Sequence, residues 1–173
     1  MADARHLMLE AATGALPLSG SELEQISAHV AGAGFDPDAP ERAGGRIAGA
    51  SWRGRRLKGR DLLPPAEIHY LRHVVVQDEW PRGTTLDAYV ESVRAIIRDP
   101  ASGLFVSRYR GQAWQWAVVR RSGSLRGPGG GDWVLVEYRL ETDRWVTAFQ
   151  PAAGLAYLDL PNREQGRWLR RPG

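Results

Sequence analysis

Residues 84–110 read TTLDAYVESVRAIIRDPASGLFVSRYR, and the spacing of the apolar residues changes from a helical to an extended pattern within this stretch. In the first half, apolar residues recur every three or four positions, which predicts an amphipathic helix that ends at the DPASG sequence of 99–103. The apolar stripe consists of Leu86, Tyr89, Val90, Val93, Ile96 and Ile97. After residue 103 the period becomes two, which predicts a strand.

Extended segments continue beyond this strand. The four segments after residue 103 are LFVSRYR, AWQWAVVRR, DWVLVEYRL and RWVTAFQ. They are rich in Val, Trp, Tyr and Phe, and short connectors that favour turns separate them. We therefore expect a four-stranded antiparallel β-meander with one face packed on helices. Helices first and sheet after indicate the α+β class.

Two shorter helices are predicted nearer the N-terminus. Ser21 and Glu24 have the spacing of a capping box, and apolar residues at helical spacing follow them. The proline pair at 64–65 suits the first turn of a second helix, which carries AEIHYLRHVV at 66–75.

The chain divides into three parts. Residues 1–50 combine the first short helix with AGAGFDPDAPERAGGRIAGA at 31–50, which is rich in Gly, Ala and Pro and predicts a linker. Residues 51–152 form the predicted α+β domain. Residues 153–173 have little periodicity, so we expect an irregular tail that wraps over the surface.

The composition and charge bound the class of protein. Of the 173 residues, 43% are hydrophobic and 25% are charged, which is ordinary for a globular domain. No apolar run approaches the ~20 residues that a transmembrane helix needs. Cysteine is absent, which excludes disulfides, thiolate metal ligands and a cysteine nucleophile.

The charge is unevenly distributed along the chain. Residues 1–50 contain 3 basic and 7 acidic side chains, whereas residues 51–173 contain 20 basic and 13 acidic ones. An acidic leader joined to a basic body predicts a polyanionic partner for the body. A chain encoded by a GC-rich genome has a similar excess of arginine, so the charge alone leaves both explanations open.

A basic segment precedes the second predicted helix. SWRGRRLKGRD at 51–61 surrounds Trp52 with arginines and with Lys58. Such a segment suits electrostatic binding of phosphates by Arg56 and Lys58, with Trp52 available to stack on a base. A solvated basic loop has the same composition, and both interpretations stand.

The segment AEIHYLRHVV places His69, Arg72 and His73 on one face of its predicted helix, because residues four apart lie one turn above each other. Two histidines at this spacing also suit a metal site, but the glutamate of HExxH is missing and the other histidines lie in the leader, so we expect no metal. Either histidine also suits a structural role between helix and sheet.

The order of these elements resembles the small metal-independent nuclease toxins of the barnase–EndoU–colicin–RelE group, especially its polymorphic-toxin and phage-associated branches. The matching sequence segments are RH at 72–73, TTLDAYVESVRAIIRDP at 84–100, RYRG at 108–111 and WVTAFQP at 145–151. The resemblance covers about residues 52–152. It implies two helices on a four-stranded antiparallel sheet, with Thr147 of the last strand in the active site. The departures are Gln150, which separates TAF from Pro151, and the occurrence of a single lysine, Lys58.

The resemblance implies cleavage of RNA without a metal, with transfer RNA as the target by analogy. Such cleavage needs a base for the 2′-hydroxyl, an acid for the leaving 5′-oxygen and cations near the phosphorane, and it passes through a 2′,3′-cyclic phosphate. Histidine titrates near neutral pH and suits proton transfer, whereas arginine keeps its charge and suits a phosphate clamp.

These requirements assign the candidate residues. We expect His73 to be the principal acid or base, and His69 to be its partner or a substrate contact. Arg108 or Arg110 is expected to clamp the scissile phosphate, to which Thr147 donates a hydrogen bond. The further candidates for substrate binding are Lys58, Arg72, Arg56 and Tyr109.

Three functions of other classes suit the same sequence. The first is a non-catalytic nucleic-acid-binding module, and the second is a protein-interaction or immunity-type domain with an interface of Trp-rich strands. The third is a small ADP-ribosyltransferase toxin, for which Glu137 and Glu141 are the candidate catalytic residues in the strand region.

The nuclease hypothesis also predicts the partners and the location. We expect RNA and a cognate acidic immunity or antitoxin protein as partners, with no cofactor and no membrane. We expect a monomer that acts in the cytoplasm, or that is secreted and delivered into the cytoplasm of a target cell.

Overall fold

In the computed structural model, which describes residues 3–14, 17–35 and 39–173, four α-helices and nine strands form. The helices are α1 (Ala4–Ala12), α2 (Gly20–Ala31), α3 (Pro65–Tyr70) and α4 (Leu86–Arg98). The short strands are β1 (Glu41–Arg42), β2 (Ser51–Trp52), β3 (Arg55–Arg56) and β4 (Leu62–Leu63). The longer strands are β5 (Gly103–Tyr109), β6 (Ala113–Arg121), β7 (Trp133–Arg139), β8 (Trp145–Phe149) and β9 (Arg163–Arg170).

Side chains at the helix starts satisfy amide groups that have no partner within the helix. The Ser19 hydroxyl accepts from the Glu22 amide at the start of α2, and the Glu22 carboxylate accepts from the Ser19 amide. The capping box therefore lies two residues before the predicted pair, Ser21 and Glu24. At α4, the Thr85 hydroxyl accepts from the amide of Ala88.

The histidine-bearing helix changes its hydrogen bonding in mid-course. α3 is followed by a π-helical segment, Leu71–Val76, and the Gln77 amide donates to the Arg72 carbonyl, five residues back. The next residue, Asp78, adopts a φ of +55°, which turns the chain sharply. A π-helical turn inside a helix often accompanies a functional site, because it rotates the side chains that follow it.

The main sheet is antiparallel and has five strands in the order β8-β7-β6-β5-β9. The prediction of an α+β fold is confirmed, but the prediction of a four-stranded meander is wrong, because the predicted irregular tail supplies β9. The tail also contains a 3-10 helix, Gly154–Asp159. The sequence of β9 hides a strand, because backbone groups make its pairing with β5 and few of its side chains are buried.

Helices cover one face of this sheet. α1, α2 and α4 pack their apolar residues on that face, and the buried residues there include Met8, Ile26, Val93, Val106 and Val136. The leader helices thus belong to the same hydrophobic core as α4 and the sheet. The 3-10 helix lies against the other face, where Leu158 packs with a smaller apolar cluster.

The segment between α2 and α3 packs against α3. Ala43, Ile47, Leu57 and Leu63 form a small core with Ile68 and Leu71. β1 pairs with β4, so the predicted linker is partly a strand; its residues 36–38 lie outside the described residues. Among the helices of the described ranges, none is long and apolar enough to cross a membrane.

Candidate active site

A cavity of about 410 Å³ opens where the π-helical segment faces the uncovered part of the sheet. Its volume lies within the usual range of ligand sites. The residues that line it are Arg46, Arg72, His73, Gln77, Glu79, Tyr109, Gln115, Glu137, Val146, Thr147, Phe149 and Tyr157. The sheet face, the π-helical segment and the segment before β2 therefore contribute to one concave surface.

His73 lies at the wall of this cavity between two oxygen-bearing side chains. Its Nε2 is 3.1 Å from the Thr147 hydroxyl, and its Nδ1 is 3.3 Å from the carboxylate of Glu79. An ionised carboxylate only accepts hydrogen bonds, so Nδ1 must carry a proton. In the neutral ring, Nε2 is then the acceptor, and the Thr147 hydroxyl donates to it.

Glu79 is held from a second side. The main-chain amide of Gln150 donates to the Glu79 carboxylate at 2.7 Å, and the Glu79 side chain is only 8% exposed. Thr147 is fixed through its strand, because the Tyr89 hydroxyl of α4 donates to the Ala148 carbonyl at 2.9 Å. Thr147, His73 and Glu79 therefore form a chain of hydrogen bonds that begins at the cavity.

A buried ion pair lies at the cavity, and Glu137 is its member in the lining. Glu137 of β7 lies opposite Thr147 in the β7–β8 register and contacts the guanidinium of Arg163. Burial raises the pKa of Glu137, and the Arg163 charge opposes that shift. The guanidinium also lies 4.6 Å from the ring centroid of Tyr157 and 5.7 Å from that of Tyr109. The two tyrosines thus help to fix Arg163.

Two further arginines line the cavity, Arg46 and Arg72. Arg72 is partly buried, and burial lowers its pKa, with a smaller contribution in the same direction from the charge of Arg46. The Nε atom of Arg72 is buried without a hydrogen-bond partner in the part of the chain that the structure describes. Two cations close enough to repel each other produce a positive potential at this wall.

His69 lies directly behind His73 and is not among the residues that line the cavity. Its ring packs on Trp145 with the centroids 4.8 Å apart, and both ring nitrogens are buried without a partner among the described residues. Burial, together with the charges of His73 and Arg72, lowers the pKa of His69 to about 3. The ring is therefore neutral near pH 7. It stacks on the His73 ring with the centroids 5.9 Å apart, so the two histidines are adjacent, and of the two His73 alone lines the cavity.

The two predicted phosphate clamps point elsewhere. Arg108 lies on the helix-covered face of β5 with Leu104 and Val106, because side chains alternate along a strand. Arg110 is exposed in the turn after β5 and packs over the ring of Tyr109. Of the predicted first-strand residues, only Tyr109 lines the cavity.

The basic segment is mostly held by its own contacts. The Trp52 indole donates to Glu67 at 2.7 Å, so its ring is part of the fold, and the Arg56 guanidinium donates to the Gly49 carbonyl at 3.1 Å. Lys58 is exposed. Neither Arg56 nor Lys58 is among the residues that line the cavity.

Arg46, Glu79 and Arg163 were missed from the sequence. Glu137 was considered there only for an ADP-ribosyltransferase and not for a nuclease site. Glu79 carried a weak signal, because an acid six residues after a helical histidine can return to it through a turn. Arg163 and Arg46 carried none, since one lies in the predicted tail and the other in the predicted linker. Among the described residues, no three His, Cys, Asp or Glu side chains converge to hold a metal ion.

The chain was compared with protein-family models, with curated proteins and with solved structures, and none of them matches it. The class of the site therefore follows from its geometry alone: a buried histidine oriented by a carboxylate, beside a second carboxylate and the two arginines of the lining.

Proposed function

We propose that this protein is a metal-independent endoribonuclease of the toxin type, with its active site in the cavity around His73. The observation that carries the proposal is the position of His73, with Nδ1 held by Glu79 and Nε2 directed at Thr147 beside the cavity. A histidine in this arrangement presents an unprotonated nitrogen to a ligand, as a general base requires.

The first proton transfer is assigned to His73. A 2′-hydroxyl that takes the place of the Thr147 hydroxyl at Nε2 loses its proton to the ring, and the 2′-oxygen attacks the phosphorus. Glu79 stabilises the imidazolium that forms, because its carboxylate accepts from Nδ1. The Thr147 hydroxyl is then free to donate to a phosphate oxygen.

The second proton transfer is assigned to Glu137, in place of His69. The leaving 5′-oxygen must receive a proton as its bond to phosphorus breaks. Glu137 serves this step only in its protonated form, which burial favours and the ion pair with Arg163 opposes. The product is a 2′,3′-cyclic phosphate on one fragment and a free 5′-hydroxyl on the other.

The charge on the phosphorane is assigned to Arg72, which was a candidate from the sequence, and to Arg46, which was not. Arg46 and Arg72 line the cavity beside His73, and a guanidinium offers paired N–H donors to two phosphate oxygens. These paired donors favour a phosphodiester substrate over a neutral one.

The test is incubation of the purified protein with total RNA in EDTA, followed by analysis of the fragment ends. We expect cyclic phosphate ends, and we expect His73→Ala to lower the cleavage rate by about 100- to 10,000-fold, the usual contribution of one proton-transfer group. Binding of RNA should change little in His73→Ala. Intact RNA after prolonged incubation with the wild-type protein would refute the proposal, and RNA binding without cleavage would favour a binding module.

A second function is favoured by the hydrogen-bond chain from Thr147 through His73 to Glu79. Such a chain also activates a hydroxyl nucleophile for acyl transfer. Thr147→Val separates the two functions. If Thr147 only donates a hydrogen bond to the phosphate, the variant should cleave RNA about 10-fold more slowly. If Thr147 is the nucleophile of an acyl transfer, the variant should lose that activity completely. The arginines make the phosphodiester substrate the better match.

The remaining partners follow from the same proposal. A cognate immunity or antitoxin protein would cover the arginine-lined mouth of the cavity with acidic side chains. The RNA target would be met in the cytoplasm, either of the producing cell or of a cell into which the toxin is delivered.

A further inference from the structure

Two features of the sequence have no part in the proposed chemistry: Gln150, which interrupts the resemblance to the nuclease toxins, and the glycine-rich connector between β6 and β7. This connector reads RGPGGG at 126–131. Both features meet at Glu79, the residue that orients His73.

The connector lies directly against the turn that carries Glu79. The Gly127 amide donates to the Glu79 carbonyl at 2.7 Å, and the Gly129 amide donates to the Asp78 carbonyl at 2.8 Å. A Cβ atom on Gly127 would lie 2.1 Å from the Trp80 carbonyl oxygen, far inside van der Waals contact. The absence of side chains therefore allows this approach of two backbone segments.

Gln150 joins the connector to the Glu79 carboxylate. Its main-chain amide donates to that carboxylate at 2.7 Å, and its side-chain amide donates to the Leu125 carbonyl at 2.7 Å. Gln150 is 1% exposed, and the Gly131 amide donates to its carbonyl at 3.2 Å. A Cβ atom on Gly130 would lie 2.2 Å from its Oε1.

We propose that Gln150 and the glycine-rich connector are a positioning element, which holds the Glu79 carboxylate against His73 and thereby fixes the proton of the ring on Nδ1. The catalytic consequence rests on the function proposed above, whereas the effect on the ring does not. Glu79 sits just after a residue with a φ of +55°, a backbone conformation that costs free energy in a non-glycine residue. The contacts from the connector oppose relaxation of this turn.

A purely structural element would stabilise the fold without determining which nitrogen of His73 carries the proton. The tautomer is therefore the deciding measurement. It is read from the ¹⁵N chemical shifts of the ring in the free protein, at a pH where the ring is neutral. The wild-type protein should show the Nδ1–H tautomer at His73, and the Nε2–H tautomer there would overturn the proposal without any variant.

The first variant is Gln150→Met, which keeps the length of the side chain and the main-chain amide. It removes the side-chain amide that donates to the Leu125 carbonyl. We expect a mixture of both tautomers at His73 and about a 100-fold loss of kcat for RNA, with KM within about twofold, as for a small displacement of a catalytic group. The matched control is Gln112→Met at an exposed glutamine, which should leave both the tautomer and kcat unchanged. An unaltered Nδ1–H tautomer in a folded Gln150→Met protein would overturn the proposal.

The second variant is Gly130→Ala, with Gly34→Ala as its control, because a Cβ atom on Gly34 meets nothing within 4 Å. Gly130→Ala should alter the tautomer of His73 as Gln150→Met does, and an unaltered tautomer counts against the proposal. The two proposals fail separately. A Gln150-dependent tautomer in a protein that leaves RNA intact would retain the positioning element and refute the ribonuclease.

Discussion

His69 and His73 are the same residue type one helical turn apart, yet their surroundings give them opposite properties. The ring of His73 meets a carboxylate and a hydroxyl at the wall of the cavity. The ring of His69 meets Trp145 and finds no hydrogen-bond partner among the described residues. A buried ring without a partner is destabilised by a charge, so His69 must remain neutral in the folded protein.

This difference predicts acid sensitivity that originates at His69. Its pKa falls from 6.5 to about 3 on folding, so below pH 6.5 the unfolded chain binds a proton that the folded chain excludes. Stability is therefore lost as the pH falls, by about 2 kcal/mol between pH 7 and pH 5. His69→Leu should remove this loss, as measured by urea unfolding at both pH values.

The matched control for His69 is His6→Leu, since the His6 side chain is 61% exposed. It should retain the acid sensitivity of the wild-type protein. Equal losses of stability in wild type and His69→Leu between pH 7 and pH 5 would show that His69 is not the group that titrates.

At the scale of elements, β9 both completes the sheet and brings a charge into the site. Arg163 at its first position contacts Glu137 of β7, and both side chains are less than 5% exposed. Phe105 of β5 packs edge-on against Trp168 of β9, and a Cβ atom on Gly166 would lie only 2.5 Å from the Phe105 ring. Strand pairing, aromatic packing and the ion pair therefore all depend on the same edge strand.

The ion pair predicts a large cost for the loss of one partner. Arg163→Met leaves the Glu137 carboxylate buried and unpaired, which should lower the free energy of unfolding by about 3–5 kcal/mol at pH 7. Addition of Glu137→Gln should restore most of this loss, because the charge is removed. Denaturant unfolding of both single variants and the double variant measures the coupling.

A control and a pH dependence sharpen this prediction. Arg139→Met, at the exposed last residue of β7, should change stability by no more than about 0.5 kcal/mol. The defect of Arg163→Met should shrink as the pH falls, because the unpaired Glu137 carboxyl then takes up a proton. An Arg163→Met protein as stable as the wild-type protein at pH 7 would contradict the assignment of a buried ion pair.

At the scale of the whole molecule, the position of the charges matters more than their sum. The formal net charge is only +3, and Asp3, Glu10, Glu22 and Glu24 of the leader lie in or next to α1 and α2, which pack on the helix-covered face. The opposite face carries the cavity, whose lining includes Arg46 and Arg72. A polyanion should therefore approach from the cavity side.

This asymmetry predicts how salt affects the binding of RNA. In a His73→Ala background, Arg46→Gln should reduce the slope of log affinity against log salt by about 0.7, the share of one phosphate contact on a single strand. Arg110→Gln removes an equal charge from the exposed turn after β5 and serves as the control. Equal slopes for the two variants, by fluorescence anisotropy across a salt series, would argue against phosphate binding in the cavity.

The sequence by itself determined the elements that have their own periodicity, because that signal is local. The apolar stripe of α4 and the alternation in β5 to β8 predicted a helix and strands in the right places, and the α+β class followed. His73 and Thr147 were also chosen from the sequence, and the fold brings their side chains to 3.1 Å. Their role in catalysis stays a prediction.

Only the tertiary structure decided the fifth strand, the absence of His69 from the cavity lining, and the presence of Arg46 there with His73 and Arg72. The physical reason is that strand pairing is made by backbone groups, which are alike in every sequence, so β9 left little trace in its side chains. Likewise, a single arginine leaves no periodic pattern in the sequence, and the position of its guanidinium depends on which face of a sheet or turn carries the residue. Strand register and sheet topology therefore place Arg108 on the helix-covered face and Arg163 against Glu137, and neither can be predicted from a local sequence pattern.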